Sequence, residues 1–401
     1  MRSWMTLVFL LLLFLIAPRV AGADEPAWAP ELAAGKRAFA AGEYMQAAEQ
    51  YAAALKKAEE QQASTATLLP ILRLRASALR TSGDAAATEE ILLRCMDIVT
   101  SLHGASGPEL AAVLSEIAIV QRAQDHRDQA DKTLGKAIEI RSAIGMSEEL
   151  ARDLTIRGAI KHEMGEDDLA VSLYLQAIAF WGALPDSGLH ILTALDPLAS
   201  IYRDQLKYPL AEENYRRALR LREAALGPKD PELIGNIDSL AYVLFGQKKY
   251  ADAEPYYIRL LALWETSAGP EHPMVALTLD KMVEFYNDQK LYEKSEPLAQ
   301  RSLMMRTRIL IESFHRSGRI LIGEKRFEDA LALYERVVRI AGDAGVPDEQ
   351  MDGVLRTYAL VLRQLKRVGE ATTIDRRVRE ALINKADRDG TRLPRPKPLA
   401  Q

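Results

Sequence analysis

Tyr250-Ala251-Asp252-Ala253-Glu254-Pro255 recurs 42 residues later as Tyr292-Glu293-Lys294-Ser295-Glu296-Pro297. Tyr208-Pro209-Leu210-Ala211-Glu212-Glu213 stands another 42 residues before the first copy. Gly227-Pro228-Lys229-Asp230-Pro231 and Gly269-Pro270-Glu271-His272-Pro273 match at the same lag. Self-similarity at a period of about 20–50 residues marks an array of one supersecondary unit.

Extending the register outward gives a column of small residues: Ala47, Thr88, Ala130, Ala170, Ala211, Ala253, Ser295, Ala330 and Ala371. Twelve residues before each lies a second column: Gly35, Ala76, Ala118, Gly158, Ala199, Ala241, Val283, Gly318 and Ala359. Two antiparallel helices approach closely only where facing side chains are small, so each unit reads as a helix pair. Four residues after the first column, one turn along the same face, come Tyr51, Leu92, Leu134, Tyr174, Tyr215, Tyr257 and Tyr334. Ala299 and Asp375 break that rule, and Asp375 falls in the last pair, where a polar outer face suits a capping repeat. Gly42, Gly83 and Gly165 sit in the turns within pairs, where a positive φ is useful.

These columns and the helix-turn-helix unit resemble the tetratricopeptide repeat. The longer unit with Gly-Pro-x-x-Pro between pairs is similar to the kinesin-light-chain type of that repeat. The resemblance covers residues 31–383 and is strongest over Lys207–Leu303. It implies an all-α, right-handed superhelical solenoid of about nine antiparallel helix pairs. The first four units lack the full loop, with Gly107-Pro108 as a remnant. From Tyr292 to Phe327 the spacing drops to 35 and the loop is missing, which reads as a shorter, ordinary repeat.

The ends differ from the array. Arg2 precedes an apolar run from Leu7 to Ala17, too short for a bilayer that needs about 20 residues. Ala21-Gly22-Ala23 follows Pro18, so residues 1–23 read as a secretory signal cut before Asp24, with 24–30 as a linker; the alternative is an uncleaved anchor, since Arg19 interrupts the cleavage region. No later stretch is long and apolar enough to span a membrane, which places the processed chain in the periplasm or outside the cell, without stable membrane insertion. Residues 384–401 alternate proline with basic residues (Pro394-Arg395-Pro396-Lys397-Pro398) and read as a disordered tail. The lone cysteine, Cys95, reads as a buried small hydrophobe. A net charge of -4 without runs of like charge gives no reason to expect nucleic acid.

No catalytic constellation is visible. The six histidines show no metal-ligand spacing, and there is neither a phosphate loop nor a nucleophile elbow. No catalytic residue, metal, cofactor or small-molecule substrate is therefore expected, and the chain reads as a non-enzyme. The resemblance implies that the first helices line a concave, ligand-binding surface. Three residues before the small residue of those helices stand Asp196, Asp238 and Asp280, where the kinesin-light-chain type prefers Asn; aspartate loses the donor and adds charge. Four residues after it stand Arg80, Arg122, His162 and Arg203, then Phe245, and later Arg363, with Tyr242 beside Phe245. The expected groove thus carries a basic stripe (Arg80, Arg122, Arg203), an acidic stripe (Asp196, Asp238, Asp280) and aromatics (Tyr242, Phe245). The expected function is a protein-protein interaction scaffold of the envelope or secreted space, binding an extended peptide or a protein partner. The alternative is an assembly subunit of an envelope or secretion complex.

Overall fold

Each helix pair closes with the same turn. At Gly42, Gly83, Asp125, Gly165, Leu206, Lys248, Lys290, Lys325 and Lys366 the backbone is left-handed, with φ from +56° to +88°. The next N–H bonds back to the carbonyl five residues earlier, as in Glu43 to Ala38 at 2.9 Å, Lys249 to Leu244 at 3.0 Å and Arg367 to Leu362 at 2.8 Å. This is the Schellman closure, which satisfies carbonyls that the helix end leaves open. Glycine serves it in three turns; in the other six the rest of the repeat imposes the conformation on Asp, Leu or Lys.

The computed structural model describes residues 26–145, 147–184 and 188–390. The expected signal segment lies outside these residues, as does the tail from Thr391 onward. Among the described residues there are 17 α-helices and no strand. The first unit, Met1–Ile201, holds α1 (Ala29–Ala40), α2 (Tyr44–Glu60), α3 (Thr65–Ser82), α4 (Ala85–His103), α5 (Pro108–Ala123), α6 (Arg127–Ile144), α7 (Glu148–Glu163), α8 (Asp167–Ala183) and most of α9 (Leu192–Asp204). The second unit, Tyr202–Gln401, holds α10 (Tyr208–Leu226), α11 (Ile234–Gly246), α12 (Tyr250–Ser267), α13 (Pro273–Asp288), α14 (Tyr292–Gly323), α15 (Phe327–Asp343), α16 (Asp352–Gln364) and α17 (Val368–Arg388). The chain is an all-α helical repeat solenoid.

Two boundaries differ from expectation. The last helix runs through Asn384 to Arg388, past the end expected at residue 383. The breakers that end a helix come later, at Gly390 and the prolines beyond. The second change is larger. The expected eighth pair does not begin with a helix of its own: α14 is 32 residues long and serves both the seventh and the eighth pair. Shortening the period from 42 to 35 removes as many residues as the Gly-Pro loop needs. No Gly or Pro stands between Leu298 and Ser317 to stop the helix. The chain therefore continues straight where it reverses at the other junctions.

Packing follows the columns. Members of the first column are buried throughout, from Ala47 to Ala371. On the facing helices, the Tyr51 ring lies where a β-carbon on Gly35 would be, 2.6 Å away, and Tyr334 does the same at Gly318, at 2.7 Å. In three pairs, with Gly35, Gly158 and Gly318, the interior is thus filled by a ring that glycine admits, while Tyr215 and Tyr257 stand against the alanine positions Ala199 and Ala241. Cys95 is buried in the core of the first unit, and burial pushes its thiol up to about 11. That core also contains an ion pair. Arg141 of α6 contacts Asp153 of α7, and Ser115 of α5 lies 2.9 Å from the same carboxylate. Burial pushes the Asp153 carboxyl above its usual range, against the pull of Arg141.

Candidate functional site

In the second unit, three helices leave an open cavity of about 500 Å³ lined by Arg203, Asp204, Leu206, Asp238, Ser239, Tyr242 and Lys281. The period explains the convergence. Arg203 ends α9, Asp238 and Tyr242 lie one turn apart on α11, and Lys281 projects from α13. Lys281 Nζ lies 2.6 and 2.7 Å from the two Asp238 carboxylate oxygens. Arg203 donates to Asp204 at 2.9 Å. The Tyr242 ring is 50% exposed and meets Tyr208 edge-on at 6.5 Å between centroids. Leu206 is exposed beside it because the left-handed turn presents its side chain outward.

Two cations, two carboxylates, a phenol and an apolar chain therefore share one opening. The formal charges cancel, so the opening does not select a strong polyion. It offers donors and acceptors for backbone amides and a flat ring for an apolar side chain.

Of the residues expected in a groove, the structure brings Arg203, Asp238 and Tyr242 together. It does not leave the acidic column as a row of bare like charges. Asp238 is held by Lys281, and Asp280 by Arg306 and Ser302 of α14. The cations come from positions 43 and 26 residues further on, outside the columns that sequence periodicity aligns. Asp196 is half-buried on α9 in the first unit.

Phe245 packs inward instead of lining the opening. Its ring lies 5.8 Å from Phe285 and 6.3 Å from Tyr250, within an aromatic cluster that includes Tyr257. In the first unit, Arg122 is clamped by Glu163 at 3.0 and 3.1 Å, and this hydrogen bonding lowers the Glu163 carboxyl. His162 lies 2.7 Å from Asp167. Arg80 is exposed on a cavity of about 420 Å³ with Arg73, Ser77 and Glu116. Arg363 pairs with Asp375, the residue that breaks the bulky column, so the polar exception in the last pair has a partner.

Lys281, Asp204 and Leu206 were missed by sequence reasoning. Lys281 carried a signal, since it stands one residue past the Asp238 repeat position, diagonally on the next first helix. A second cavity, about 690 Å³, opens on another face of the first unit, between second helices α4 and α6. Its lining includes Met96, Thr100, Leu110, Lys136 and Ile140. No group of three or more His, Cys, Asp or Glu able to hold a metal occurs among the described residues. No described helix is long and apolar enough to cross a membrane.

The tetratricopeptide repeat family matches residues 65–143 and 233–308, and a second tetratricopeptide repeat family matches residues 191–232. The chain is a tetratricopeptide repeat protein. No curated protein matches it significantly. Among solved structures, BtubC (BKLC) from P. vanneervenii is 18% identical with a TM-score of 0.47, over 61% of this chain and 93% of that one. A putative kinesin light chain from Podosopora anserina is 16% identical with a TM-score of 0.44, over 51% and 100%. The apo quorum sensor NprR from B. thuringiensis is 15% identical with a TM-score of 0.44, over 90% and 89%.

Proposed function

We propose that this tetratricopeptide repeat protein is a non-enzymatic scaffold that binds an extended peptide segment of a protein partner in the second unit, across Arg203 and Asp204 at the end of α9 and the neighbouring faces of α11 and α13. The observation that carries the reading is the cavity around Tyr242. Three successive first helices each contribute different chemistry to one opening, and the half-exposed Tyr242 ring lines it. An extended chain presents backbone amides and alternating side chains at a spacing that such a surface can read without rearranging. The scaffold acts in the periplasm or outside the cell, after cleavage before Asp24. The leader Leu7–Ala17 and the small residues Ala21 and Ala23 support that location.

The second reading, an assembly subunit that docks through its second helices, draws on the cavity between α4 and α6. One experiment separates the two. A photo-crosslinking residue is placed at position 242, or at position 258 on α12, where Ile258 is also about half exposed. Crosslinking is then carried out in the native cells. The peptide-scaffold reading expects a partner adduct from 242 and none from 258. Adducts from 258 alone would replace it with the assembly reading. Amino-terminal sequencing of the exported chain tests the location: a start at Asp24 is expected, and an intact Met1 overturns it.

A further inference from the structure

The fused helix α14 leaves one inter-repeat joint unmade. Elsewhere, the second helix of one pair and the first helix of the next each carry an apolar residue at a fixed position of the repeat. On the second helix the position lies eight residues after the small column: Leu55, Met96, Ile138, Ile178, Leu219, Leu261, Leu303 and Val338. On the next first helix it lies eight residues before the small column: Leu68, Leu110, Leu150, Ile191, Leu233, Val275, Leu310 and Met351. At one joint, Leu261 of α12 packs against the buried cluster that Val275, Ala276 and Leu279 of α13 form with Met305 of α14.

Leu303 and Leu310 are the exceptions in exposure. Every other residue of the second series is 8% exposed or less, while Leu310 is 41% exposed. The other residues of the first series are buried or half-buried, while Leu303 is 55% exposed. The cause is geometric. The two residues belong to one continuous helix, seven positions apart on the same face, so they cannot fold back on each other.

Their chemistry matters as much as their exposure. In the pair formed by α16 and α17 the equivalent position is Arg379, which is exposed. The exposed position there carries a charge. At the joint without cover in α14, both positions have stayed leucine.

We propose that a second copy of this chain covers this joint. Leu303 of one copy packs against Leu310 of the partner copy, and Leu310 against the partner copy's Leu303. The chain itself argues for this occupant: at each regular joint the cover is the chain's own next repeat, and α14 carries both halves of that contact. A contact in which each residue meets the other's counterpart is self-complementary, as a two-fold dimer requires. A straight helix in place of a reversing loop, with repeats exchanged between protomers, is a low-cost way to reach it.

Light scattering or sedimentation on the purified chain is expected to give twice the mass of the single chain, 44.6 kDa for all 401 residues and less after removal of the leader. Leu303→Glu with Leu310→Glu is expected to give a monomer with unchanged helical content, since both side chains are already exposed within one chain. A second variant fixes the geometry. Leu303→Cys with Leu310→Cys places two thiols about 10 Å apart along the helix, beyond the reach of a disulfide within one chain, which needs α-carbons within about 7 Å. Oxidation is expected to link two chains covalently, and Leu303→Cys alone is expected not to. A wild-type chain that stays monomeric up to its solubility limit overturns the proposal. So does a dimer that survives the double Glu change, or one that the double Cys variant fails to cross-link.

Discussion

Gly158 and Tyr174 divide one volume between two helices: a β-carbon on Gly158 would lie 2.9 Å from the Tyr174 ring. The same division holds for Gly35 with Tyr51 and for Gly318 with Tyr334. Where the second helix carries leucine, at Leu92 and Leu134, the first helix carries Ala76 and Ala118 at the matching positions. In the seventh pair the bulk changes sides, with Val283 on the first helix and Ala299 on the second. Ala299, an exception in its own column, is regular once the two columns are read as a pair.

Gly158→Ala is therefore expected to destabilise the protein, although alanine is the better helix former. The helix gains up to about 1 kcal/mol, while forcing a methyl against the ring costs about 1–3 kcal/mol. Combining it with Tyr174→Leu rebuilds the Ala118–Leu134 pairing and is expected to cost less than the sum of the two single changes. Gly353→Ala, with nothing within 4 Å of the new carbon, is expected to be neutral or stabilising. Urea denaturation of the four variants checks the sign. Equal effects at 158 and 353 would refute the packing argument.

Lys248 holds a left-handed φ of +59° in a turn where other pairs use glycine. That conformation costs a non-glycine residue about 1–2 kcal/mol. Lys248→Gly is expected to raise stability by about 0.5–1 kcal/mol, part of the relief being offset by the extra freedom of glycine in the unfolded chain. Lys248→Val is expected to lower it, because β-branching resists the turn further. Melting temperatures in that order, Gly above Lys above Val, are the expected result.

The buried Arg141–Asp153 pair is expected to be sensitive to loss of one partner and tolerant of loss of both. Asp153→Ala leaves the buried guanidinium its bonds to the Ser115 hydroxyl and the Glu149 carbonyl but removes its counter-charge, at a cost of about 3–5 kcal/mol. Arg141→Met with Asp153→Leu removes both charges, and most of the stability is expected to return. Chemical denaturation of the single and double variants provides the check, and a double variant as weak as the single one would count against it.

Asp131 of α6 ties to the next pair through Arg157 at 2.7 Å and Lys161 at 3.0 Å. Burial pushes the Asp131 carboxyl up, but hydrogen bonds from Arg157 and Lys161 outweigh it and hold the carboxyl below its usual 3.8. A carboxyl lowered in the folded state contributes stability that is fully present above the unfolded value. That contribution is lost as pH falls through the folded value. Asp131→Asn is thus expected to be weaker than wild type near neutral pH and to lose less stability below pH 3.8. Unfolding curves measured down that range read the difference in slope.

Periodicity made the helix pairs legible, since the small columns, the bulky residues four later and the glycine turns are local signals repeated down the chain. It placed Asp238, Tyr242 and Arg203 on exposed faces of first helices. It did not reveal that Asp238 pairs with Lys281, because that partner sits one residue off register on the next helix. Nor did it distinguish Tyr242 from Phe245. Both are aromatic and three residues apart on α11, and only the position of Phe285 decides which ring is packed.

The sequence by itself determined the repeat, its register and the size pairing within each hairpin. Those depend on contacts between residues a fixed number of positions apart. It also carried the deletion that shortens the period to 35. Only the tertiary structure decided what that deletion does. A shortened spacing fits either a tight reversal or a straight continuation, and the choice rests on whether each half of α14 packs on its own hairpin. With α13 on one half and α15 on the other, the helix runs through, and Leu303 and Leu310 stay exposed.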